Sequence, residues 1–127
     1  MVDPFIAATY NLIMERGVRF YRVFTYTDSS DAAISLASAT VHFQIRRSPS
    51  DSAALLELNS TDDAANVSVA GDDNNEIRID LTAVQTAALS FTQGTYAITY
   101  IANGETDTQG FIGGRITLEK GAFVTPV

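Results

Sequence analysis

The sequence predicts an all-β sandwich of about seven or eight short antiparallel strands carrying one short helical turn. Three observations predict it. Stretches of apolar–polar alternation recur along the chain, the sharpest at Thr40–Arg46, and a period of two gives a strand one face for the core and one for water. Polar breaks rich in Gly, Asn and Asp separate these stretches, as tight turns require. Finally, Val18–Tyr26 crowds valine, phenylalanine and tyrosine into one run, a composition that fits a pleated, half-buried surface.

At 127 residues the chain is one domain, long enough to bury a core without metal or disulfide. It has no cysteine, which excludes thiolate metal sites and thiol redox chemistry. Eight Lys and Arg stand against 15 Asp and Glu, for a net charge of −7. That balance repels a phosphate backbone, so nucleic acid is not expected as a partner. Residues 1–16 lack the basic start and apolar run of a signal peptide. No stretch has the length needed to span a bilayer, and no membrane partner is expected.

The elements follow in order. Residues 1–10, with Pro4 and a loose apolar set, read as an N-terminal arm, 11–120 as the sandwich and 121–127 as a C-terminal tail. Asn11–Arg16 is a first strand, ended by Gly17, whose missing Cβ permits a kink into the next. Val18–Tyr26 is expected to be the central strand, with Phe20, Phe24 and Tyr26 on one face. Arg22 breaks that alternation, which predicts either a bulge or an arginine whose stem lies along the apolar face while its head reaches water. After an Asp-rich turn, Ile34 and Leu36 pack under the sandwich edge.

Thr40–Arg46 points Val41, Phe43 and Ile45 inward and Thr40, His42, Gln44 and Arg46 outward. Pro49 ends it, since proline cannot donate to a ladder. Ala53–Asn59 resumes as a strand, and Val67 and Val69 with Glu76–Leu81 form a hairpin with an acidic tip at 71–75. Thr82–Leu89 is the one helical piece, with Thr82 as N-cap. Thr95–Ile101 is a strand with Tyr96, Ile98 and Tyr100 together on one face. Asn103-Gly104 then turns the chain into a return strand over Thr108–Glu119. Gly110, Gly113 and Gly114 within that strand predict a bulge or the close approach of another backbone.

Catalytic and metal-binding chemistry finds little support in these residues. His42 is the single histidine and lies on the outer face of a strand, with no nucleophile elbow for it to serve. Asp72, Asp73, Asn74, Asn75 and Glu76 place oxygen ligands close together but lack the calcium-loop spacing. The expectation is a non-enzymatic protein without cofactor or metal. Its role is mechanical or adhesive. Both ends carry apolar residues, of which Phe5, Ile6, Phe123 and Val124 are the candidate contacts to a partner, by strand addition or groove packing.

The succession of motifs resembles a known group. Gly17 precedes Arg22-x-Phe24-x-Tyr26, then come Ile34-x-Leu36, the strand Val41–Arg46, the run Leu55–Leu58, and Ile77–Leu81 leading into a Thr-Ala-Ala-Leu turn at Leu89. Gly94-Thr95-Tyr96-x-Ile98-x-Tyr100, the Asn103-Gly104 turn and Gly110-x-x-Gly113-Gly114 before Arg115-Ile116-Thr117 complete the order. This order resembles the small immunoglobulin-like β-sandwich proteins of tailed bacteriophages, and is similar to the N-terminal domain of upper baseplate proteins over about residues 11–120. Its departure is a longer N-terminal arm. The resemblance implies an immunoglobulin-like fold and a virion structural protein, assembled in the host cytoplasm as a baseplate or tail-fibre adaptor. Its partners would be other virion subunits and further copies of itself. Two other roles fit the same fold, a capsid decoration or cement protein and a carbohydrate-binding adhesin that uses exposed aromatics such as Tyr10 or Tyr21.

Overall fold

Where the sequence alternates, the chain forms strands. The computed structural model describes residues 8–28, 30–48, 50–51 and 53–119. They build β1 (Ala8–Thr9), β2 (Leu12–Glu15), β3 (Phe20–Thr25), β4 (Thr40–Arg46), β5 (Leu56–Asn59), β6 (Val67–Ala70) and β7 (Glu76–Leu81). A short helix α1 (Ala83–Ala87) leads to β8 (Gln93–Ile101) and β9 (Thr108–Glu119).

Two sheets face each other. One runs β1–β9–β8–β4–β5, with β2 following β1 along the same flank of β9, and the other runs β3–β7–β6. All pairs are antiparallel except β1 and β2, which run parallel to β9. This is an immunoglobulin-like β-sandwich, and the placement of β5 beside β4 is the strand addition of the variable type. Tyr96 sits early in β8 and Ile98 two residues on, the places where antibody domains carry the corner tyrosine and the second cysteine of the inter-sheet disulfide. Ile98 is fully buried, so apolar packing stands where that cross-link would be.

The core is drawn from the inward parity of both sheets. Val41, Phe43 and Ile45 of β4 face Ile77, Ile79 and Leu81 of β7, all completely buried. Phe43 tilts against Tyr96, with ring centroids 6.2 Å apart. Thr82 caps α1 by accepting from the Gln85 amide, while the Gln85 side chain accepts from the Thr82 amide, a reciprocal capping box. One turn on, the buried Thr86 hydroxyl accepts from the Gly17 amide and donates to the Val18 carbonyl. A helix too short to persist alone is thus tied to the β2–β3 turn.

Several expectations are corrected. Val18–Tyr26 does not supply a central strand: β3 is an edge, and β7 is the middle of its three-stranded sheet. Its apolar richness reflects a strand packed on the second sheet by Phe20 and Phe24 while Tyr21 and Val23 remain exposed. The β3–β7 register runs without a shift through Arg22, so no bulge lies there. Arg22 instead lays its guanidinium over the Phe20 ring at 4.6 Å and donates to the Tyr21 carbonyl. The sandwich also begins before residue 11, because Ala8 and Thr9 pair with Ile112 and Gly113. Their partner lies about a hundred residues away, beyond the reach of any local pattern.

Other expectations hold. Gly17 has φ +81° and turns the chain from one sheet to the other. The β8–β9 register slips between Ile98 and Thr99, leaving Phe111 unpaired in a bulge. Its ring packs edge-on against Tyr26 and Phe24. At Gly114 a second backbone does approach closely: a Cβ there would lie 2.5 Å from the Tyr10 carbonyl oxygen.

Candidate functional site

The exposed apolar side chains are unevenly distributed. Tyr10, Ile13, Tyr21, Val23 and Val84 are the large hydrophobic residues exposed among the described residues, and the first four fall between residues 10 and 23. They occupy β2, β3 and the residue pair just before β2. Ile13 points away from the core because Leu12 and Met14 on either side of it are buried; Tyr21 and Val23 do so because Phe20 and Phe24 take the inward parity. β2 closes one sheet and β3 the other, and an Arg22 amine lies 3.5 Å from the Ile13 carbonyl across the seam. The two strands therefore form one lateral margin of the sandwich.

Charge adds to that margin. Arg19 makes a two-pronged bond to Asp80, at 2.8 Å on each arm, and its guanidinium lies 4.8 Å from the Tyr21 ring centre. The hydrogen bond from Arg19 holds the Asp80 carboxyl below the usual carboxylate range. Arg16 and Arg22 are also exposed here.

One end of the sandwich has the opposite character. The register pairs Thr25 with Glu76 and Thr40 with Ile101, so the segments 26–39, 71–75 and 102–107 emerge together. They carry Asp28, Asp31, Asp72, Asp73, Glu105 and Asp107 and no Lys or Arg. Backbone bonds knit this end: the Tyr26 amide donates to the Asn75 carbonyl and the Leu36 amide to the Asn74 carbonyl. The Asp28 carboxyl is held low by the backbone amides of Ala32 and Ser30 and by the Ser30 hydroxyl. Among the described residues no group of three or more His, Asp or Glu side chains is placed to hold a metal.

His42 is half-buried on the outer face of its sheet, opposite Thr99 and Asn59. No described helix is long and apolar enough to cross a membrane. Phe5, Ile6, Phe123 and Val124, the contact residues expected from the sequence, lie outside the described residues. Tyr10 and Tyr21, expected as exposed aromatics, are exposed. Ile13 was not legible as surface, and Val23 only as lying on the face opposite Phe20 and Phe24. Ile13 stands inside the unbroken apolar run Leu12-Ile13-Met14, which carries no parity signal.

Two solved structures are similar to the chain. A marsupial T cell receptor is similar at 13% identity with a TM-score of 0.47, the match covering 91% of this chain and 52% of that one. The chain thus spans about half the length of that receptor chain. The extracellular domain of the voltage-gated sodium channel β4 subunit, described as a parallel homodimer explaining a role in cell–cell adhesion, is similar at 12% identity with a TM-score of 0.39, over 90% of this chain and 95% of that one. No family profile and no curated protein matches the sequence. The strand order on its own places the chain in the immunoglobulin-like β-sandwich class.

Proposed function

We propose that this chain is a non-enzymatic structural protein of a bacteriophage particle, an adaptor at the baseplate or tail fibre that acts by protein–protein assembly in several symmetry-related copies. The observation that carries the assembly reading is the lateral margin, where Tyr10, Ile13, Tyr21 and Val23 leave apolar surface in water beside Arg16 and Arg22. The acidic end supplies charge complementary to those arginines on a neighbouring copy. The phage setting comes from the resemblance in motif order along the chain. A glycan-binding role is less well served, because Arg19 already lies over the Tyr21 ring and competes for the face on which a sugar would stack.

Immunogold electron microscopy of intact particles with an antibody against the chain tests the reading. Label at the distal tail is the expected result. Label on the head moves the protein to capsid decoration, and particles without label overturn the virion role. Pull-downs with residues 1–7 or 121–127 deleted then decide whether Phe5, Ile6, Phe123 and Val124 contact the neighbours.

A further inference from the structure

The hydrogen bonds of residues 8–16 divide cleanly from those of the residues that follow. Among the described residues its partners lie on β9 or β8, apart from the Val18 amide of the adjoining turn on the Glu15 carbonyl and one long contact. β1 and β2 pair in register with Ile112–Gly113 and Ile116–Glu119. The Tyr10 amide donates to the Gly113 carbonyl, the Arg115 amide to the Asn11 side-chain oxygen, the Arg16 amide to the Glu119 carbonyl, and the Tyr96 hydroxyl to the Tyr10 carbonyl. The long contact is Arg22, 3.5 Å from the Ile13 carbonyl. From Gly17 onward the allegiance changes. Gly17 and Val18 bond to Thr86 of α1.

Between the two sets stands a tight turn, closed by the Val18 amide on the Glu15 carbonyl at 3.3 Å, with Gly17 at φ +81°. No atom lies within 4 Å of a Cβ placed on Gly17, so the turn is set by backbone conformation and not by packing. Leu12 and Met14 bury their side chains from this strand. A strand so attached can be supplied by another copy, which would satisfy the same β9 edge, the same buried sites for Leu12 and Met14, and the same Tyr96 hydroxyl.

We propose that residues 8–16 are an exchangeable strand: opening the turn at Gly17 lets them leave their own β9 and pair with β9 of a second copy, linking two chains reciprocally. The proposal goes beyond the virion reading and does not depend on it. The chain has no cysteine, so introduced thiols report on the pairing without interference. Ile13 and Thr117 are directly opposed in register, Ile13 exposed and Thr117 half-buried with an outward parity between buried Ile116 and Leu118, and paired strands lie close enough for a disulfide to bridge.

The experiment mixes purified chains carrying I13C with chains carrying T117C under mild oxidation. A double I13C/T117C chain that closes its own disulfide at low concentration verifies the geometry. Exchange predicts a disulfide-linked heterodimer of the two single variants, exceeding like-with-like dimers and increasing with concentration. It also predicts that G17A, which strains the closed turn without a clash, raises that heterodimer several-fold. Heterodimer no more abundant than like-with-like dimers, or insensitive to G17A, overturns the proposal. Because only isolated chains are used, such a failure leaves the location of the protein on a particle untouched.

Discussion

The hydroxyl of Tyr96, on β8, donates to the main-chain carbonyl of Tyr10, which precedes it by 86 residues. A corner tyrosine ordinarily bonds backbone a few residues upstream in its own sheet connection; here it fastens the first strand. Tyr96→Phe keeps the buried ring and removes that fastening. It should lower stability by about 1 kcal/mol, read from the shift in denaturant midpoint.

The same hydroxyl gives the fold an alkaline limit. Burial, with a smaller contribution from Tyr10, pushes the Tyr96 phenol up to about 12. Burial and the hydrogen bond with Tyr26 push the Tyr100 phenol up as well. A group whose folded value is raised favours the folded state fully below its unfolded value, about 10 for tyrosine, and loses that contribution as pH rises toward the folded value. Denaturant midpoints should therefore hold below pH of about 10 and fall between about 10 and 12. Tyr96→Phe should make that fall shallower.

Gly114→Ala tests the fit of the first strand against β9. The added methyl would meet the Tyr10 carbonyl at 2.5 Å, and backbone cannot swing aside as a side-chain tip would. The cost should be about 1–3 kcal/mol. Hydrogen exchange should locate the loss, with amides of residues 8–16 exposed before those of β4 or β7.

Thr86→Val replaces the buried hydroxyl by a methyl of nearly equal size. The Gly17 amide and Val18 carbonyl both lose their partner. A destabilisation of about 1–3 kcal/mol is expected, whereas Thr86→Ser should recover most of it. Thermal melts of the two variants check the pair.

The lateral margin is tested by charge. Ile13→Asp and Val23→Asp alter exposed positions and should leave stability within about 0.5 kcal/mol of the parent. Each should weaken capture of virion partners from disrupted particles by about tenfold or more. Val84→Asp, more exposed still but on α1, is the control that should leave capture intact.

Much of the fold was legible because its signals are local. Thr40–Arg46 and Thr108–Glu119 coincide with the strands read from alternation and turn residues, and Thr82 is the N-cap that its hydroxyl predicts. Gly114 was legible as a close approach, though not what approaches it. What failed to show was non-local. Nothing near Ala8 signals a parallel partner at Ile112, and nothing in Val18–Tyr26 distinguishes an edge from a centre, since composition reports burial on a face and not the number of neighbours. The candidate surface is half visible: Tyr10 and Tyr21 read as exposed aromatics and the parity of Phe20 and Phe24 sets Val23 on the opposite face, while Ile13, inside an unbroken apolar run, looks internal until its register with β9 is known.

The parallel course of β2 and β9 also fixes how the protein answers a pull. Tension applied through the segments before Ala8 and after Glu119 drags the two strands in opposite directions along their own length. The bonds from Ala8 to Arg16 are then loaded in shear, together, instead of being unzipped one by one from an end. Such a joint resists extension until many bonds fail at once. A link in a chain of proteins that must carry load and then release it abruptly would have this mechanical character.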